Sequence, residues 1–212
     1  MSQPPGLGLN KASAAVGLTP GAREVHRHIL ATMAETGEAP SHTELERFAR
    51  DHGLDPAPVL TELTERDVVA VDVRGELRAA YPFSPHPTAI TVTWAGGPTV
   101  FAMCAIDALG MSAMLDRPVI ITATEPGSGE IVIVEVDHDR AGWTPETAVV
   151  FGGSTDDPCC PSVDRSCGNI NFFTTADAAR TWAIGHPDVS GHVLDQATAL
   201  RKGIAEFGEL LH

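Results

Sequence analysis

Three prolines within six positions, Pro82, Pro85 and Pro87, divide this chain. Proline donates no backbone hydrogen bond and fixes its own φ, so neither a helix interior nor a central strand runs through such a cluster. The hydrophobic period changes across it. Ahead of it, Val25, Ile29, Leu30 and Met33 recur at helical spacing from Pro20 onward, and Gly37 closes that helix. Ser41 and Glu44 form a capping box for a second helix carrying Leu45, Phe48 and Ala49. Asp55 and Pro56 start a third, through Val59, Leu60 and Leu63, and residues 68–73 and 76–81 flank Arg74-Gly75 as a β-hairpin. Three helices and a hairpin in this order predict a winged helix.

Behind the prolines the pattern is mixed. Residues 89–93, 99–103, 118–123 and 131–136 read as strands, with a turn at 126–129, and residues 104–115 read as a helix. Two more strands are predicted at 149–151 and 169–173, then helical segments from 175 to about 185 and from 194 to 211. Strands and helices interleave without a regular βαβ repeat, which predicts an α+β fold. The expected organisation is a small winged-helix-like N-terminal domain over 20–82 and a mixed α/β domain over 83–212. Residues 1–19, rich in Pro, Gly, Ser and Ala, read as a flexible arm.

Charge excludes one function class that a winged helix would invite. The 28 acidic residues exceed the 14 basic ones, a formal charge of -14 that opposes phosphate-backbone binding, and the segment PAPVLTELTERD in the recognition-helix position has one arginine against three acids. No nucleic acid partner is expected. No apolar run approaches the ~18 residues of a membrane span, and residues 1–10 carry no secretory pattern, so the expected location is the cytoplasm. The nine histidines are scattered without zinc-motif pairing, and Asp137-His138-Asp139 reads as a solvated turn. Trp94, Trp143 and Trp182 read as core or edge aromatics, and Met103, Met111 and Met114 as packing residues.

The four cysteines carry the chemical signal. Cys104 falls where a strand turns into a helix, a position whose unpaired N–H groups favour a thiolate, and Asp107 follows one turn later on the same face. Two readings stand: a thiolate beside a proton-carrying acid, or a buried cysteine in a packed helix. Cys159, Cys160 and Cys167 cluster within nine positions, which points to thiol chemistry or soft-metal binding. The vicinal pair Cys159-Cys160 does not fit the spacing of structural zinc. Cys167 directly precedes a predicted strand ending in Phe172-Phe173 and is the one placed to face a pocket.

Together Phe101-Ala-Met-Cys104-Ala-Ile-Asp107-Ala-Leu109 and Cys167-Gly-Asn-Ile-Asn-Phe172-Phe173 resemble the motifs of the organomercurial (alkylmercury) lyases. The order of elements over roughly residues 20–210 resembles that family too, with a winged-helix-like domain ahead of a mixed α/β catalytic domain. The resemblance implies a carbon–mercury lyase acting by protonolysis, in which Cys104 and Cys167 bind mercury and Asp107 transfers the proton and lies at the metal. It implies no tightly bound cofactor, solution thiols as acceptors of the Hg(II) product, a small organomercurial substrate and mercuric reductase as a downstream partner. Residues 152–166 read as an insertion, with Cys159 and Cys160 as accessory thiols, and Gly168-Asn169 stand where family members often carry Cys and His. An aspartate at its reference pKa of about 3.9 holds no proton at neutral pH, so protonolysis requires either a relay from a thiol or a raised pKa. The alternative is a non-catalytic thiol protein that binds or senses Hg(II) or Cu(I).

Overall fold

A computed structural model describes residues 10–155 and 162–212. The N-terminal helices begin where side chains satisfy their first N–H groups. Thr19 caps α2 (Pro20–Thr36), Ser41 and Glu44 form the capping box of α3 (His42–Asp51), and Asp55 caps α4 (Pro56–Glu65). Gly37, at φ 77°, ends α2 in the left-handed conformation that glycine adopts without strain. Before them stands a short helix, α1 (Lys11–Val16), in the stretch expected to be a flexible arm. Burial of Lys11, Ala14, Ala15 and Leu18 holds it, through contacts far away in sequence that local composition does not reveal.

The hairpin β1 (Val69–Val71) and β2 (Leu77–Ala80) follows as expected, but it is not a free-standing wing. β2 pairs with β3 (Phe83–Ser84), and β3 with β5 (Val100–Ala102), so the chain turns through the proline cluster and stays in one sheet. β4 (Ile90–Thr93), β6 (Val119–Thr124), β7 (Ile131–Asp137) and β8 (Arg140–Thr144) complete it in the antiparallel order β1-β2-β3-β5-β4-β6-β7-β8. On β6, Val119, Ile121 and Ala123 are buried while Ile120, Thr122 and Thr124 face outward, the alternation of a sheet with one covered face.

The covering element is α5 (Ala105–Leu115), whose residues 105–112 are all buried. A helix buried all round is a central one. It lies on the sheet and is crossed by α8 (Gln196–Phe207), while a second sheet, β10 (Ile170–Phe173), β9 (Val149–Thr155) and β11 (Val189–Leu194) in that order, closes the far side with α7 (Ala176–Ile184). β9 runs to Thr155, so the first four residues of the expected 152–166 insertion are a paired strand. The insertion ends in a four-residue helix, α6 (Ser162–Arg165).

α5 and α8 approach closely because each presents a glycine to the other. A Cβ on Gly110 would overlap the Gly203 carbonyl oxygen, and one on Gly203 would lie 2.7 Å from Gly110 N and 2.8 Å from the Ile106 carbonyl oxygen. These obstacles are backbone atoms and cannot swing aside. Gly110→Ala is expected to lose about 2 kcal/mol net, overpacking outweighing the gain of about 1 kcal/mol in helix propensity, and to lower Tm by about 4–8 °C in calorimetry.

Candidate active site

The strand β5 delivers the chain to Cys104, the N-cap of α5, in extended conformation (φ -157°, ψ 178°). Its side chain makes no capping bond to the helix backbone. The thiol donates instead to Oδ2 of Asp107, in the first turn of the same helix. The three-residue spacing therefore brings the two groups together as expected. Asp107 has no exposed surface, and its other oxygen, Oδ1, is buried without a hydrogen-bond partner.

Cys167 opens a 3-10 turn (Cys167–Asn169) between α6 and β10, and β10 packs against α5. It is buried like Cys104, and both are free thiols. The strand behind it is anchored by its aromatics: Phe172 packs on Trp143 at 5.7 Å between ring centres, and Phe173 joins Phe151 and Trp182. Trp94, Met111 and Met114 are buried packing residues, as read from the sequence.

Electrostatics links the three groups. Burial pushes the Cys104 thiol well above its usual pKa, and the neighbouring Asp107 and Cys167 push it further. Cys167 rises for the same first reason, with Asp107 adding to it while Lys11 and Tyr81 act in the opposite direction. Of the two readings of Cys104, burial favours the protonated thiol at rest. The helix N-terminus does favour negative charge, but only by about 0.3–2 kcal/mol, and complete removal from water outweighs it. Burial also raises Asp107 to about 7, against the lowering effect of the Cys104 hydrogen bond and the Lys11 ammonium. Both routes by which Asp107 could acquire a proton are thus open: a raised carboxyl pKa and a thiol already donating to it.

Among the described residues no set of three or more His, Cys, Asp and Glu side chains forms a metal-holding cluster. Cys104, Cys167 and Asp107 are thus not preset as a three-ligand cage, and the Asp107 carboxyl accepts from the Cys104 thiol. Cys159 and Cys160 lie outside the described residues. The turn at Asp137-His138-Asp139 is a solvent-facing clasp, in which His138 bridges Asp137 (2.6 Å) and Asp116 (2.8 Å) while its backbone N–H donates to the buried Ser112.

Four residues that sequence reading did not single out border the site. Lys11 is buried with its ammonium bonded to Asp67 and Ser162 and seated over the Tyr81 ring. The Tyr81 hydroxyl is buried beside Cys167, without meeting the geometry of a full hydrogen bond. No local pattern marks any of them.

Comparison with known proteins points to one family from two directions. Residues 83–208 match the family model described as alkylmercury lyase, MerB. Among curated relatives, the alkylmercury lyase of Staphylococcus epidermidis is 30% identical over 164 residues, 77% of this chain and 73% of that protein. That of Bacillus cereus is 32% identical over 162 residues, 75% and 71% of the two chains. The crystal structure of the mercury-bound form of MerB2 superposes with a TM-score of 0.73 over 95% of this chain and 97% of that one, and at 23% identity it shows a common fold. With more than half its length matched to the family model and the same relationship found in whole-protein comparison, this chain belongs to the alkylmercury lyase family.

Proposed function

We propose that the protein cleaves the carbon–mercury bond of small organomercurials by protonolysis, with Cys104 and Cys167 as the mercury-binding thiols and Asp107 as the proton carrier. The observation that carries this reading is the buried Cys104 thiol donating to Asp107, a carboxyl whose pKa burial raises to about 7. A carboxyl at that value both accepts and releases a proton near neutrality, which general acid–base transfer requires. A site that only binds a soft metal has no use for it, since thiolates suffice.

Cys167 displaces the ligand X from R–Hg–X, its proton leaving with X, and forms a sulfur–mercury bond. Cys104 then bonds the same mercury while its proton passes to Asp107 Oδ2. The second sulfur donor raises electron density on mercury and on the attached carbon, which takes the proton from Asp107 as the carbon–mercury bond breaks. R–H departs, and Hg(II) remains on two thiolates with Asp107 ionised. No resident cofactor takes part. Solution thiols remove the Hg(II), and mercuric reductase is the natural acceptor by kinship.

Other features support parts of this reading. The family match begins at residue 83, inside the proline cluster, in keeping with a catalytic domain over 83–212 and a winged-helix-like region of three helices and a hairpin before it. No helix among the described residues is long and apolar enough to cross a membrane, and free thiols at the site suit the cytoplasm.

Purified protein with excess thiol is expected to release hydrocarbon from methyl- or phenylmercury, followed by gas chromatography. Cys104→Ala, Asp107→Ala and Cys167→Ala should each lower the rate by about 10²–10⁴-fold. Release undiminished in Asp107→Ala would remove the proton-transfer role. Because the carboxylate form receives the Cys104 proton, kcat/KM should fall about tenfold per pH unit below about 7. The same group opposes folding at high pH. Its folded pKa of about 7 lies above the unfolded value near 3.8, so its contribution is fully present below pH 3.8 and is lost as pH rises through 7. Asp107→Asn should therefore be inactive yet more stable than wild type at pH 8, by up to about 4 kcal/mol, with the difference vanishing near pH 4 in urea titrations.

A further inference from the structure

Lys11 is 1% exposed although it opens a six-residue helix at the edge of the described chain. Its ammonium donates to the Asp67 carbonyl oxygen, to Asp67 Oδ2 at 2.8 Å and to Ser162 Oγ at 3.1 Å, which uses all three N–H bonds. The same nitrogen sits 3.6 Å above the centre of the Tyr81 ring. Asp67 closes the node by accepting also from Ser162 N and Oγ, from a backbone held at φ 53° in the left-handed region. A methionine of similar length would fill this volume without taking an ammonium out of water. Ion pairs with one partner fully buried and the other, Asp67, only partly so are poor sources of stability, and some are retained because they fix geometry.

Both arms of the node lead to Cys167. Ser162 opens α6, which runs straight into the turn that carries Cys167, and Arg78 on β2 holds the same helix at Asp164, 2.8 Å away. Tyr81, under the ammonium, brings its hydroxyl to Cys167. On its other side Cys167 is anchored by β10, paired along β9. The Lys11 ammonium joins the α6 arm, through Ser162, to the Tyr81 ring, whose hydroxyl also approaches the α6 backbone at Val163.

We propose that Lys11 is a positioning residue that sets where Cys167 stands relative to Cys104, by bracing the α6 arm and the Tyr81 ring at once. This rests on the reading that the two cysteines bind one mercury together. Displacing one sulfur by an ångström would leave single-thiol binding intact and spoil the two-sulfur state on which proton transfer to carbon depends.

The test uses the full chain with Cys159→Ala and Cys160→Ala, so that Cys104 and Cys167 are the remaining thiols. One equivalent of mercuric chloride is added, and two-sulfur coordination is read from ultraviolet sulfur-to-mercury charge transfer and ¹⁹⁹Hg NMR. Lys11→Met is expected to lose the two-sulfur signature and about 10- to 100-fold in kcat, with KM for phenylmercury changed less than about threefold, while Lys11→Arg recovers part of both. A merely structural role would lower the folded fraction and Tm and leave coordination of the folded protein as in wild type. That result, or an unchanged kcat, overturns the proposal. Ser162→Ala cuts the same brace with a smaller perturbation and decides the matter if Lys11→Met does not fold: a retained signature and rate overturn it, and weakening of both supports it. A signature that survives in Cys167→Ala would overturn the thiol assignment itself and the brace with it, whereas loss there with retention in Lys11→Met overturns the brace alone.

Discussion

Removal of one carboxyl and two thiols from water is the constraint on which the rest of this structure depends. An ionised carboxylate in an apolar interior is destabilised by several kcal/mol unless something compensates it, and here the compensation is a proton, shared with Cys104 or taken up near pH 7. That environment exists because Asp107 sits on a helix covered on every side. The sheet lies beneath α5, α8 crosses it at a glycine–glycine contact, and β10 closes the end near Cys167. Loosening any of these layers would admit water and return the carboxyl toward its ordinary acidity, without touching a reactive group.

The sequence carried the local part of this arrangement and little of the distant part. Cys104 and Asp107 were legible because three residues on a helix are one turn, and the strand-to-helix change at Cys104 is a property of adjacent residues. The thiol's charge state stayed open between two readings, because helix-end position is local while burial belongs to the whole fold. β8 and β11 were missed for a related reason. Each is the outermost strand of its sheet, contains a glycine and buries only one residue fully, so neither hydrophobic alternation nor a continuous apolar run marks it. The hairpin at 69–80 was legible, but its continuation into the large sheet through Phe83 was not, because a two-residue strand has no period.

The Lys11 node was the least legible of all. Its partners Asp67 and Ser162 lie 56 and 151 positions away, and the residues around Lys11 have the composition of an arm. Tertiary contacts override propensity here in the direction opposite to the usual one, ordering a segment that its own sequence would leave free. The two-sided hold on Cys167, by β10 through the main chain and by this node through side chains, contrasts with Cys104, which one strand and one helix position by themselves.

On the proposed mechanism, the types of residue around the thiols suit the softness of mercury. A protonated lysine has no lone pair, so it can supply charge and hydrogen bonds next to a soft-metal site without becoming a ligand, whereas a histidine in its place would compete for the metal. A carboxylate is a hard donor and a weak rival to sulfur, so Asp107 remains free to move a proton even with mercury adjacent. Tyr81 presents a phenol that stays protonated in this buried setting and can donate to sulfur without binding metal. Around two thiols, then, the site gathers polar groups that are poor ligands for mercury, and on the proposed mechanism this keeps the metal on sulfur and the proton on oxygen until carbon takes it.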